Sequence, residues 1–346
     1  MLIADCTGAH PCLSVLSVVN KNPNVAVIDI GSNSIKSLVA ACGPQGEIVT
    51  VHTRALDARI STGIGQARPR LTEEDMQRGL AAIRQLLAEI APLAPRQTVL
   101  VATSAVRDAA NKGEFRDRIR TATGHELRIL TGEEEANLIG RGLASDPALA
   151  DLQDFYVFDL GGGSLECLTF RARRVQQAVS LPLGCVRLTE RCVKDPQAPF
   201  SDDCRSRLTE ICREVLAKSG FRFSLPAGAD AVFAGGTVTT TRAIFAERLG
   251  RPISETSPLI TIAALRTLLD DIACLPLEAR KKIPGLPAAR ADVFPPALAT
   301  MLAVADFGGL TAFRHSFNNL RYGVAAELLE SPPPIPPVPP QPPSVR

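Results

Sequence analysis

The stretch FYVFDLGGGSLECLTF, residues 155–170, gathers Asp159, Gly161, Gly162, Gly163, Ser164 and Glu166 between two apolar runs. Glycines without side chains let backbone N–H groups come close to an anion and cradle phosphate oxygens. An aspartate on one side of such a turn and a glutamate on the other suit a divalent cation or a bound water. A second copy lies 130 residues earlier: DIGSNSIKSLV from Asp29 set over DLGGGSLECLT from Asp159 matches Asp, Gly, Ser and Leu at the first, third, sixth and tenth positions. Gly31, Ser32, Asn33 and Ser34 then repeat the cradle, with hydroxyl and amide help. At the eighth position the copies diverge in charge, Lys36 against Glu166. Two plain glycine hairpins would need no opposite charges there. A site for a phosphate chain plus a cation, gripped from both sides, has a use for each.

Other segments could contribute to such a site. TGEEEANLIGRG places three carboxylates, Glu133, Glu134 and Glu135, at a helix start, where the helix dipole alone would favour them. Arg107 in TSAVRDA lies just past a strand, where a guanidinium could fork onto phosphate oxygens, with the Ser104 hydroxyl nearby. AGGTVTTTRA sets Gly235, Gly236 and Thr237 between a strand and a helix, which makes either an anion site or a close strand–helix junction. Arg171, Arg173 and Arg174 are a short basic run in a hairpin turn. A solvated face explains them better than a guide for a polyanion.

The elements that must position these residues read as follows. Val/Ile-rich runs after Asn24 form strand, turn, strand, turn, strand. LTEEDMQRGLAAIRQLLAEIAPL is a helix that Thr72 can cap. Strands and helices then alternate, and the part towards Glu330 is mostly helical with proline breaks. This is α/β layering. The 130-residue offset is too long for a solenoid and fits a duplicated domain. We divide the chain into a flexible extension (1–23), lobe I (24–144), lobe II (145–330, its last helix free to cross back to lobe I) and a proline-rich disordered tail (331–346). With 346 residues and 45% hydrophobic content, two cores are affordable. A net charge of +2 gives no case for duplex nucleic acid or a membrane surface, and no apolar run is long enough to span a bilayer. Nine scattered cysteines without a CxxC pair suit reduced thiols in a cytoplasmic protein, and the four histidines show no zinc spacing.

In their order, IDIGSNSIKSLV, ATSAVRDAAN, TGEEEANLIGRG, FDLGGGSLE, LPLGCVRLTER and AGGTVTTTRAI resemble the exopolyphosphatase/guanosine pentaphosphate phosphohydrolase (Ppx/GppA) family. ARADVFPPALA and NNLRYGVAAELL resemble its closing part more loosely. The resemblance implies two ribonuclease H-like lobes of the actin, sugar-kinase and chaperone-ATPase superfamily, with the active site in the cleft between them. It also implies the short form, without an HD-type domain, and a homodimer. By resemblance Glu135 is the catalytic base, with Glu134 the alternative should the register differ by one. Asp159, Glu166 and Asp29 are then candidate ligands of Mg2+, and K+ a candidate activator. Family members usually carry Arg where Lys36 stands, so the grip there loses its bidentate geometry. The implied reaction is Mg2+-dependent release of terminal phosphate from inorganic polyphosphate. Removal of the 5′ terminal phosphate of guanosine pentaphosphate is the alternative. An ATP-dependent kinase of the same superfamily and a non-catalytic sensor are more distant ones.

Overall fold

The computed structural model describes residues 24–330. The N-terminal extension and the proline-rich tail lie outside them. The first half runs β1 (Val25–Ile30), β2 (Ser34–Cys42), β3 (Ile48–Asp57), α1 (Glu73–Ile90), β4 (Gln97–Ala102), α2 (Ser104–Arg107), α3 (Lys112–Thr123), β5 (Leu127–Ile129) and α4 (Gly132–Ala144). The second begins with β6 (Phe155–Leu160), β7 (Leu165–Arg171), β8 (Arg174–Leu181), α5 (Cys185–Cys192), α6 (Asp202–Lys218), β9 (Asp230–Ala234) and α7 (Gly236–Leu249). It ends with β10 (Leu259–Thr261), α8 (Ile262–Ala273), α9 (Leu277–Arg280), α10 (Phe294–Gly308), β11 (Ala312–His315) and α11 (Leu320–Glu330).

The sheets are ordered β3-β2-β1-β4-β5 and β10-β11-β9-β6-β7-β8. Within each, the first three strands meander antiparallel and the next two join in parallel beside the first. The second sheet adds one antiparallel edge strand, β10. The duplication holds at the level of single residues: Asp29 pairs with Lys36 across β1–β2, and Asp159 with Glu166 across β6–β7. The outer pairings slip register between Val39 and Ala40 and between Thr169 and Phe170, again 130 residues apart. These are the two ribonuclease H-like lobes expected from the sequence.

Both central strands are apolar except for Asp29 and Asp159, as suits strands buried on both faces. Ala26, Ile28 and Ile30 of β1, and Tyr156, Phe158 and Leu160 of β6, pack into one large core. The alternating residues, Val25 and Val27, Phe155 and Val157, face a second core. That second core is filled by Leu138, Ile139 and Leu143 of α4 and by Leu320, Val324 and Leu328 of α11. The two helices are therefore sandwiched between the sheets and cross there. Although α4 falls in lobe I by sequence order, it packs on β7 and β8, whereas α11 packs on β1 and β2.

The crossing requires glycine. A Cβ on Gly323 would lie 1.8 Å from the Leu138 carbonyl oxygen, and one on Gly142 would lie 2.3 Å from that of Asn319. Alanine normally stabilises a helix interior relative to glycine, by about 1 kcal/mol. Here Gly323→Ala is expected to destabilise by about 1–3 kcal/mol or more, because two backbones must separate. Thermal melting checks this, and a variant melting at or above the wild type would contradict the close crossing.

Among the described residues no helix is long and apolar enough to cross a membrane. The seven described cysteines are all free thiols. The tight turn between β7 and β8 holds Ala172 and Arg173 at φ +48° and +59°. The Arg173 guanidinium donates to the carbonyls of Ala144, Leu149 and Leu152, and Arg171 donates to that of Ser224. These two arginines are thus spent on backbone oxygens and do not line the cleft described below.

Candidate active site

The two hairpin turns meet at a cavity of about 610 Å³, counting the space open to solvent at its mouth. Its wall includes Asp29, Gly31, Ser32, Asn33, Ser34 and Lys36 from the β1–β2 side. From the β6–β7 side come Asp159, Gly161, Gly162, Ser164 and Glu166. Asp29 and Asp159, at equivalent strand ends, thus share one crevice. The turns touch: a Cβ on Gly162 would lie 2.6 Å from the Ser32 Cβ. Ser32 Oγ and Ser104 Oγ are 3.2 Å apart.

The junction between β9 and α7 closes another side. Gly235 has φ +94°, and a Cβ there would lie 2.4 Å from Asp159 Oδ1. Both facts require glycine at 235. Gly236 lies beneath the Arg290 guanidinium and lines the cavity. Thr237 lies just behind, fully buried, with no partner for its Oγ1.

Glu135 reaches the cavity from the first turn of α4. Thr131 caps that helix, and Glu134 completes a capping box by accepting the Thr131 N–H at 2.8 Å. Glu134 is turned towards Arg128, 3.5 Å away, and is not part of the cavity wall. Glu135 instead shares the buried face of α4 with Leu138, Ile139 and Gly142. Its Oε2 accepts a short bond from Arg107 Nη1, whose nitrogen also donates to the Leu130 carbonyl at 3.3 Å. Arg107 is thus tied to Glu135 and stands behind the wall rather than in it.

Burial raises the affinity of each cleft carboxylate for a proton. It lifts Asp29, and it pushes Asp159 up to about 6. Glu166 is raised by burial and by Asp159, and Glu135 by burial and by Glu166. Lys36 moves the other way, lowered by burial and by Arg321. Four acids held in one crevice repel one another, and a cation among them would relieve both costs. Asp29 Oδ1 is buried without a hydrogen-bond partner. Among the described residues no three acidic, histidine or cysteine side chains converge tightly enough to hold an ion alone. Mg2+ does not need that: one or two carboxylates suffice, with waters and substrate phosphate filling the rest of its octahedron. One or two of Asp159, Glu166 and the orphaned oxygen of Asp29 would meet that need. Glu166 is already oriented by Ser180, whose Oγ donates to Oε1 at 2.7 Å.

Of the candidates named from sequence for the two hairpins, the acidic run, Ser104–Arg107 and the 235–237 turn, those absent from the cavity wall are Glu133, Glu134, Arg107, Gly163 and Thr237. Gly163 packs on Ser104 instead, where a Cβ would lie 2.3 Å from Oγ. Sequence reasoning missed Thr103, Ile139, Arg290 and Asn319 of the wall, Ser180 behind it and Arg321 in the cleft beside it. Arg290 and Asn319 lie in ARADVFPPALA and NNLRYGVAAELL, segments whose family likeness was legible but which carry no local pattern for phosphate.

Solved structures share this architecture. The Ppx-GppA enzyme of Aquifex aeolicus is 25% identical, with 88% of this chain and 99% of that one covered at a TM-score of 0.70. An exopolyphosphatase from Cytophaga hutchinsonii is 24% identical, covering 89% and 98% at a TM-score of 0.80, a likeness of fold. The sequence model of the Ppx/GppA phosphatase family matches residues 38–331. With that match over most of its length, and with the doubled lobes that carry its cleft, the chain belongs to the Ppx/GppA phosphatase family.

Proposed function

We propose that the protein is a Mg2+-dependent exopolyphosphatase that releases the terminal phosphate of inorganic polyphosphate. The observation that carries this reading is the single cavity shared by four buried carboxylates, two small-residue hairpins and the cations Lys36 and Arg290. Phosphoanhydride hydrolysis needs little covalent help. It needs neutralised phosphate oxygens and a water held in line with the leaving oxygen. The N–H groups of the hairpins, with Lys36, Arg290 and the Ser32 and Ser104 hydroxyls, bind and orient the terminal phosphoryl. Glu135 accepts a hydrogen bond from the attacking water and takes its proton, while Arg107 holds the carboxylate in place. Asp159, Glu166 and Asp29 would hold Mg2+, which when bound supplies charge neutralisation on phosphate oxygens.

One observation favours a second reading, removal of the 5′ terminal phosphate of guanosine pentaphosphate. A basic cleft lined by Arg54, Arg290 and Arg321 adjoins the cavity and shares Ser34, Lys36, Gly235 and Gly236 with it. Phe317, 49% exposed, also lines this cleft and offers a ring against which a base could stack.

The test is to incubate the purified protein with Mg2+ and, separately, long-chain polyphosphate, guanosine pentaphosphate, or ATP with candidate acceptors. Free phosphate from polyphosphate is expected. Phosphate from guanosine pentaphosphate alone would select the second reading. ADP formed only when an acceptor is present would replace both with a kinase.

A further inference from the structure

Arg59 stands outside the cavity wall, yet it touches two segments that form it. Its backbone has φ +37°, a left-handed conformation uncommon for a long side chain. Hydrogen bonds hold it there: its N–H donates to the Asn33 carbonyl at 2.9 Å, and its own carbonyl accepts from Arg78 Nη2 at 2.9 Å. From that pinned position the guanidinium forks three ways. Nε donates to Asn33 Oδ1 at 3.2 Å. Nη1 and Nη2 donate to Asp292 Oδ2 and Oδ1 at 2.5 and 2.8 Å. Nη2 also donates to the Ala289 carbonyl at 3.0 Å.

The contact with Asn33 determines which way its amide faces. An arginine Nε has only a proton to give, so the atom opposite it must be the amide oxygen. The donor end, Nδ2, is therefore turned away from Arg59. It is buried and has no partner, in a residue that lines the cavity. A buried donor without a partner is costly unless something comes to accept from it. A phosphate oxygen is the acceptor that this cavity is built to receive. At the other end, Ala289 and Asp292 flank Arg290, whose guanidinium lies over Gly236 in the same cavity. One side chain thus sets the register between a donor from lobe I and a cation from lobe II.

We propose that Arg59 is a positioning residue for phosphate binding: it locks the Asn33 amide with its N–H group presented to substrate and fixes the Arg290 segment against it. This rests on the reading of the cleft as a phosphate site. Arg59 acts through Asn33, so their effects are coupled rather than additive.

The test measures binding of inorganic tripolyphosphate with Mg2+ by calorimetry, in full-length Glu135→Gln protein so that the ligand is not consumed. Asn33→Ala and Arg59→Met are added singly and together, with melting temperatures recorded. Each single change is expected to weaken binding about tenfold, the loss of one hydrogen bond to a charged group. The double change is expected to weaken it little further. Arg59→Lys keeps a charge beside Asp292 but cannot fork to Asn33 as well, and it should resemble Arg59→Met. It also serves as the test variant if Arg59→Met does not fold. Unchanged affinity in either Arg59 variant, or full additivity with Asn33→Ala, would overturn the inference while leaving the phosphate-site reading intact. Absence of tripolyphosphate binding in the parent protein would overturn that reading and the inference with it.

Discussion

Glu135→Gln is expected to lower kcat by about 10²–10⁴-fold while leaving KM within a few-fold, the range that a positioned general base supplies. The expectation rests on position. Glu135 is the one carboxylate of the 133–135 run on the buried face of α4, and the one that lines the cavity. Glutamine is isosteric and can still accept from Arg107, so the cleft need not rearrange, but the amide cannot take a proton from water. Burial and the neighbouring Glu166 make ionised Glu135 costly. The variant's melting temperature in Mg2+-free buffer is therefore expected to equal or exceed that of the wild type. Steady-state kinetics and melting together separate this outcome from damage to the fold. Wild-type kcat in a folded variant would remove Glu135 from the mechanism.

Asp159→Asn is expected to have the next largest effect, through the cation. Asp159 ends β6, faces Asp29 across the cleft and touches the space a Gly235 side chain would need. Its proton affinity is raised by burial, a cost that a bound divalent ion would reverse. Outer-shell changes at metal sites already cost about 10–100-fold in affinity. Loss of a carboxylate that would touch the ion should raise the Mg2+ concentration for half-maximal activity by at least about tenfold. A readout independent of turnover comes from linkage. Mg2+ at a hundred times its dissociation constant should stabilise the wild type by about 2.7 kcal/mol, and the same concentration should stabilise Asp159→Asn far less. Equal stabilisation of both proteins would place the ion elsewhere.

The doubled hairpin was legible because its chemistry is local: Asp, Gly, Ser and an apolar pair recur within eleven residues, twice. That pattern places Asp29, Asp159, Lys36 and Glu166 in two matched hairpins; their pairing, Asp29 with Lys36 and Asp159 with Glu166, came from the structure. Among Glu133, Glu134 and Glu135 the helix dipole explains all three equally, and only the family likeness singled out Glu135. Helical spacing held a further clue, since Glu135 stands three, four and seven residues before Leu138, Ile139 and Gly142 on one face. Arg290, Asn319 and Ser180 were illegible for the opposite reason: each serves the cleft through folding of distant chain, with nothing around it in sequence to mark it. The short strands β10 and β11 were missed in a region read as helical. With three and four residues, they are too short for an alternating pattern to emerge. The place of Arg107 after a strand suggests a phosphate fork; in the fold its Nη1 is bonded to Glu135, a contact between distant segments that the local sequence does not mark.

In the proposed reaction this cleft directs water at the terminal phosphorus of a phosphoanhydride. Hydrolysis of tripolyphosphate with Mg2+ in ¹⁸O-labelled water tests it most directly, with the products resolved by mass. One ¹⁸O atom is expected in each orthophosphate released and none in the pyrophosphate left behind. Label entering the pyrophosphate instead, or phosphate transfer occurring only when an acceptor other than water is supplied, would contradict it.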